Sequence, residues 1–154
     1  MLRHLLVLTT ALFLSAPLFA ASDADRALDN LNSSDPTVQV QACRTLGAAQ
    51  LEAAVPRLIE LLGETSDERV AASAAAALGA IGSNDNGASA AALLKAAGAE
   101  QPALVRYAAL LGLLGVDGDE HLADARTAAA NAAGDGSDPL LQDLAQKLQP
   151  LFSE

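Results

Sequence analysis

Residues 67–82 read DERVAASAAAALGAIG, and ten of these sixteen positions hold Ala, Leu, Val or Ile. The phase of those residues decides whether the stretch is filler or a packing element. Val70, Ala74, Ala77, Leu78 and Ile81 fall at the i, i+4, i+7, i+8 and i+11 spacing of one buried helix face. Small residues beside the Leu positions let neighbouring helices approach closely. Asp67 stands where a carboxylate satisfies the free amides of a first turn and opposes the helix dipole. Gly79 and Gly82, followed by SNDNG at 83–87, supply stop and turn chemistry. The spacing predicts a helix begun at Asp67 and stopped at Gly79–Gly82.

The same pattern occurs earlier in the chain. DPTVQVQACRTLGAAQ, at 35–50, places Asp35, Val38, Ala42, Leu46 and Gly47 at a constant offset of 32 from Asp67, Val70, Ala74, Leu78 and Gly79. Pro36 follows Asp35 at the first helical position, where its missing N–H costs nothing. A third copy, QPALVRYAALLGLLGVDG at 101–118, admits two registers. One sets Leu111-Gly112 at an offset of 33 from Leu78-Gly79. The other puts Val105 in the Val place, with Gly112 as a small contact residue. Second helical segments separate the copies at 51–64, 88–100 and 119–134; the first carries Leu51, Val55, Leu58, Ile59 and Leu62 at helical spacing. Each unit is helix, turn, helix, with a period near 32–35 residues.

These residues resemble the HEAT repeat, in the short bacterial form also seen in phycobilisome lyase-like proteins. That pattern runs Asp-Pro-x-Val-Arg-x-x-Ala-Ala-x-Ala-Leu-Gly-x-Ile-Gly, then Ala-Val-Pro-x-Leu-x-x-Leu-Leu. It is matched by Asp35, Pro36, Val38, Ala42, Leu46 and Gly47, then by Ala54, Val55, Pro56, Leu58, Leu61 and Leu62. The second unit matches through Asp67, Val70, Ala74, Ala75, Ala77, Leu78, Gly79, Ile81 and Gly82. The resemblance covers about 35–118. It implies an all-α fold, a short α-solenoid of HEAT-like helix pairs in a right-handed superhelix with capping helices. The units are then 35–66, 67–100 and 101–136, with end helices at 22–34 and 137–149. The family's Arg after Val survives only as Arg106, replaced by Gln39 and Ala71 elsewhere, so any charge ladder between units is broken and stacking leans on apolar packing.

The N-terminus, MLRHLLVLTTALFLSAPLFAAS, has the order of a secretory signal peptide over 1–21: a basic Arg3, an apolar run at 5–14, a helix-breaking Pro17, and small residues at Ala20 and Ala21. The interrupted apolar run is too short to span a bilayer comfortably. Cleavage predicts a periplasmic or secreted chain whose mature form does not span a membrane. It removes one basic residue, leaving eight against nineteen acidic ones.

The whole chain carries a formal net charge of −10 and only four aromatic residues, one Tyr and three Phe. A surface of that sign repels phosphate backbones, and the chain lacks both a basic groove and stacking aromatics, so nucleic acid is excluded as a partner. The single cysteine, Cys43, forms no internal disulfide and falls where the pattern packs a small apolar residue, which predicts a buried, inert thiol. His121 is the one histidine of the expected mature chain, and no motif joins it to Cys43. The acidic loops at 82–87, 117–120 and 134–138 fail the calcium-loop spacing and read as turns and helix caps. Asp119 and Glu120 are neighbours expected by chance on an acidic chain. No phosphate loop, nucleophile elbow or dinucleotide fingerprint occurs. No catalytic residue, cofactor or metal site is therefore assigned.

Function is expected to be that of an exported scaffold binding another protein or peptide, as a monomer or with weak self-association. The alternatives are a lyase-like or thiol-dependent enzyme using Cys43 or His121, and a purely structural subunit that stacks on its own copies. In the family resembled, second helices usually line the concave side. That resemblance places Glu52, Arg57, Glu60, Lys95, Asp124 and Arg126 on the partner face, although each also fits an ordinary solvated surface.

Overall fold

The computed structural model describes residues 16–82, 85, 87–116, 118–136 and 138–153, with side chains from 23 to 152. It is helical, with no strand among the described residues. The helices are α1 (Ala16–Asn30), α2 (Pro36–Ala48), α3 (Val55–Glu64), α4 (Glu68–Ile81), α5 (Ala88–Ala96), α6 (Ala103–Leu113), α7 (Leu122–Asp135) and α8 (Pro139–Leu148). Single 3-10 turns at Glu52–Ala54 and Leu151–Ser153 introduce α3 and close the chain. The basic and apolar parts of the expected signal peptide, at 1–15, lie outside the described residues.

The caps form as the sequence dictates. Asp35 accepts from the Thr37 amide, Asp67 from those of Arg69 and Val70, and Asp138 from those of Leu140 and Leu141. The Arg69 side chain also bonds Asp67, and together with these amides it holds the Asp67 carboxyl below its ordinary range. Gly82 ends α4 in the left-handed region at φ 61°, which costs glycine little and other residues much.

Gly79 is no stop. It lies inside α4, where the Cβ of an alanine would sit 2.7 Å from the carbonyl oxygen of Gly112 and 3.0 Å from its carbonyl carbon. The residue is glycine because two backbones meet there. Helix α1, described from Ala16, includes six residues before the expected end helix, with Pro17 near its start.

Helices α2, α4 and α6 lie side by side as a first layer, and α3, α5 and α7 form a second. Contacts are most extensive within the first layer, where alanine and glycine permit close approach. An alanine methyl contributes only about 0.8 kcal/mol by burial, against roughly 1.5–3 kcal/mol for a leucine. An Ala-rich layer therefore depends on short separations, and the leucines Leu46, Leu58, Leu78, Leu93, Leu110 and Leu113 fill the space between layers, each essentially fully buried. Helix α1 and the residue after it cover α2 with Ala24, Ala27 and Leu31, which are buried.

Burial settles the third register. The buried positions Val70, Ala74, Ala77, Leu78 and Ile81 of α4 recur thirty-five residues on as Val105, Ala109, Gly112, Leu113 and Val116, all buried. Leu111, the counterpart of Leu78 in the offset-33 register, is 41% exposed. Gly112 is thus the small contact residue, in the place of Ala77.

At the far end, α8 packs chiefly on α7 and only slightly on α6, so it does not extend the first layer as a further unit would. Leu141, Leu148 and Phe152 are buried there, whereas Leu140 and Leu151 are exposed. No helix among the described residues is long and apolar enough to cross a membrane.

Candidate functional site

Cys43 is fully enclosed in α2, and burial pushes its thiol up to about 11. At neutral pH it is a protonated core residue and not a nucleophile. His121 is buried just before α7. Its Nε2 donates to the Leu113 carbonyl oxygen at 3.0 Å, and its own carbonyl accepts from the Ala125 amide at 2.8 Å. The imidazole thus ties the end of α6 to the start of α7. No hydrogen bond joins Cys43 to His121 among the described residues.

Arg106 is 3% exposed and pairs with Asp135 at the end of α7. Its charge binds the two helices of one unit together and does not run from unit to unit. Its Nε has no hydrogen-bond partner among the described residues. A buried guanidinium depends on its carboxylate, because a charge left alone there would lack compensation.

The six expected partner-face residues divide by what they touch. Arg57 donates from Nε to Asn32 Oδ1 at 3.0 Å and from Nη1 to Glu60 Oε2 at 2.9 Å, with Glu64 3.8 Å away, fastening α3 to the turn after α1. Arg126 donates from Nη2 to the Phe152 carbonyl at 3.3 Å and secures the closing turn. Glu52, Lys95 and Asp124 are exposed, in the first 3-10 turn, the last turn of α5 and the first turn of α7. Of the six, Lys95 lines a groove.

That groove, of about 640 Å3, lies between α3 and α5. Ile59 and Leu62 form one wall, Ala88, Ala91 and Ala92 the other, and Glu68 and Lys95 bring opposite charges to it. A second groove of about 560 Å3 runs along the first layer between α2 and α4. Ala72, Ser73, Ala76 and Ala80 of α4 line it with Val40 and Arg44 of α2, Arg69, and Leu104 of α6. The outward face of α4 was not foreseen as a surface feature. The available signal was an alanine stripe where the exposed side of a helix ordinarily carries charged groups.

No three His, Cys, Asp or Glu side chains gather closely enough to hold a metal among the described residues. Ser83, Asn84, Asn86, Asp117 and Ser137 of the acidic loops lie outside those residues.

Helix pairs stacked in two layers, with grooves along the layers, define a short α-solenoid. The chain belongs to the HEAT repeat family: the family model for HEAT repeats matches residues 24–114, more than half of the sequence. HEAT repeats are generally interaction scaffolds and generally non-enzymatic. No curated protein matches the chain significantly.

Proposed function

We infer that the protein is an exported scaffold that holds another protein or peptide in the groove between α3 and α5. The observation carrying this reading is the groove itself: an open apolar trough with Glu68 and Lys95 of opposite charge beside it, built from second-layer helices. Apolar walls supply burial, and the two charges orient what lies between them. The enclosed, protonated Cys43 and the structurally engaged His121 weigh against the thiol-dependent alternative. Export rests on the signal-peptide pattern of residues 1–21.

Affinity capture from the periplasmic or extracellular fraction tests both parts. Ala91 is exposed and lines the groove, so Ala91→Trp fills it without entering the core. The captured partner should be lost with Ala91→Trp at unchanged helicity. A partner retained by that variant overturns the groove assignment. Intact mass of the recovered protein should begin at residue 21 or 22; an uncleaved cytosolic chain overturns export.

A further inference from the structure

We propose that the groove between α2 and α4 is a second docking surface, and that its occupant is a locally acidic, apolar segment of another protein. This goes beyond the scaffold reading, because the surface belongs to the first-helix layer and the partner's chemistry is specified. The floor is the outward side of α4. Ala76 and Ala80 are exposed there, and with Ala72 they end at Cβ, so the trough is the space that longer side chains would occupy. Val40 on α2 and Leu104 on α6 rise on either side, and Leu104 is 46% exposed. An apolar wall left this open has surface to bury on a partner.

Charge selects the partner. The chain holds nineteen acidic residues against nine basic ones, yet no Asp or Glu lines this groove and two arginines do. Arg44 is exposed and makes no hydrogen bond or ion pair with any described residue. Arg69 is paired with Asp67 through Nε at 3.4 Å and Nη2 at 3.2 Å, which orients its exposed guanidinium and offsets part of its charge, so that Arg44 is the uncompensated cation of the groove and Nη1 of Arg69 a second donor. Carboxylates on the incoming segment pair with these two groups while its apolar side chains lie on the alanine floor. A nucleic acid would find no aromatic platform here.

The test uses two fluorescein-labelled peptides, one of repeated Glu-Leu-Leu-Glu and one with Lys in place of Glu, titrated with the folded protein and read by anisotropy. The acidic peptide should bind saturably and weaken as salt is raised. Arg44→Glu with Arg69→Glu should reduce its affinity about tenfold or more. Ala76→Trp, at an exposed position, should abolish binding without changing the circular dichroism. Absence of saturable binding, equal binding of the lysine peptide, or indifference to Ala76→Trp would overturn the proposal. So would a concentration-dependent dimer in sedimentation that Ala76→Trp removes, which would make a second copy the occupant. None of these outcomes bears on Ala91→Trp, which fills the other groove.

Discussion

The two interfaces of the first layer, α2 against α4 and α4 against α6, share one register and differ in what meets at it. In the first, an added Cβ on Gly47 would lie 3.0 Å from Ala77 Cα and 3.3 Å from its methyl. In the second, Gly79 faces Gly112, and an added Cβ would strike backbone. The corresponding place in the third unit is Leu114, 42% exposed, with no further first-layer helix packed closely on it. Glycine therefore appears where a helix arrives, and a leucine appears where none does. The stacking is specified by the space left for a neighbour as much as by the residues that fill it.

Leu78→Asp breaks the comparison most severely. Leu78 is fully buried between the layers, so an unpaired carboxylate there should cost more than about 4 kcal/mol and unfold the domain. A variant that stays helical with a cooperative urea transition would refute the register. Gly79→Ala, Gly47→Ala and Leu114→Ala then measure the series directly. Expected losses are about 3 kcal/mol at Gly79, where the added Cβ overlaps the Gly112 backbone, about 1 kcal/mol at Gly47, where the nearest atom is the Ala77 Cα at 3.0 Å, and within about 0.5 kcal/mol at the exposed end. Equal losses at 79 and 47 would show that both crossings relax alike.

A pH-dependent effect concerns a place filled by Cys43, Ala75 and Leu110 in successive units, all fully enclosed. Burial raises the Cys43 ionisation from 9.0 to about 11, so over that interval the folded state binds the proton more tightly than the unfolded chain. Stability should fall as pH rises from 9 to 11, by roughly 2–3 kcal/mol relative to Cys43→Ala. Parallel pH courses in the two proteins would mean that the thiol meets water.

Much of this architecture was legible because local chemistry announces it. Asp35, Asp67 and Asp138 lie two or three residues from the amides they cap, and Gly82 terminates a helix by its own backbone geometry. The third register was not legible, since Leu111-Gly112 imitates Leu78-Gly79 and Pro102, at the start of α6, offers no side-chain cap. The enclosure of Leu113 and the exposure of Leu111 distinguish the two alignments. Gly79 resembled a stop because close backbone approach and helix termination both select glycine. The contacts of the expected partner-face residues were only partly legible for a different reason. Arg57 and Arg126 are engaged by Asn32 and the Phe152 carbonyl, twenty-five and twenty-six residues away, and no helical period reveals such partners. The α4 groove is not legible in the sequence because helical periodicity assigns alanines to the core, whereas Ala76 and Ala80 are exposed.

The enclosure of Cys43 also makes the chain well suited to site-specific spectroscopy. It is the only cysteine, it is buried, and its ionisation is displaced to alkaline pH. At neutral pH a maleimide would meet only a thiol introduced by design. A reporter at Ala76 would watch one groove, and a reporter at Ala91 the other, with no background signal from the native chain to subtract.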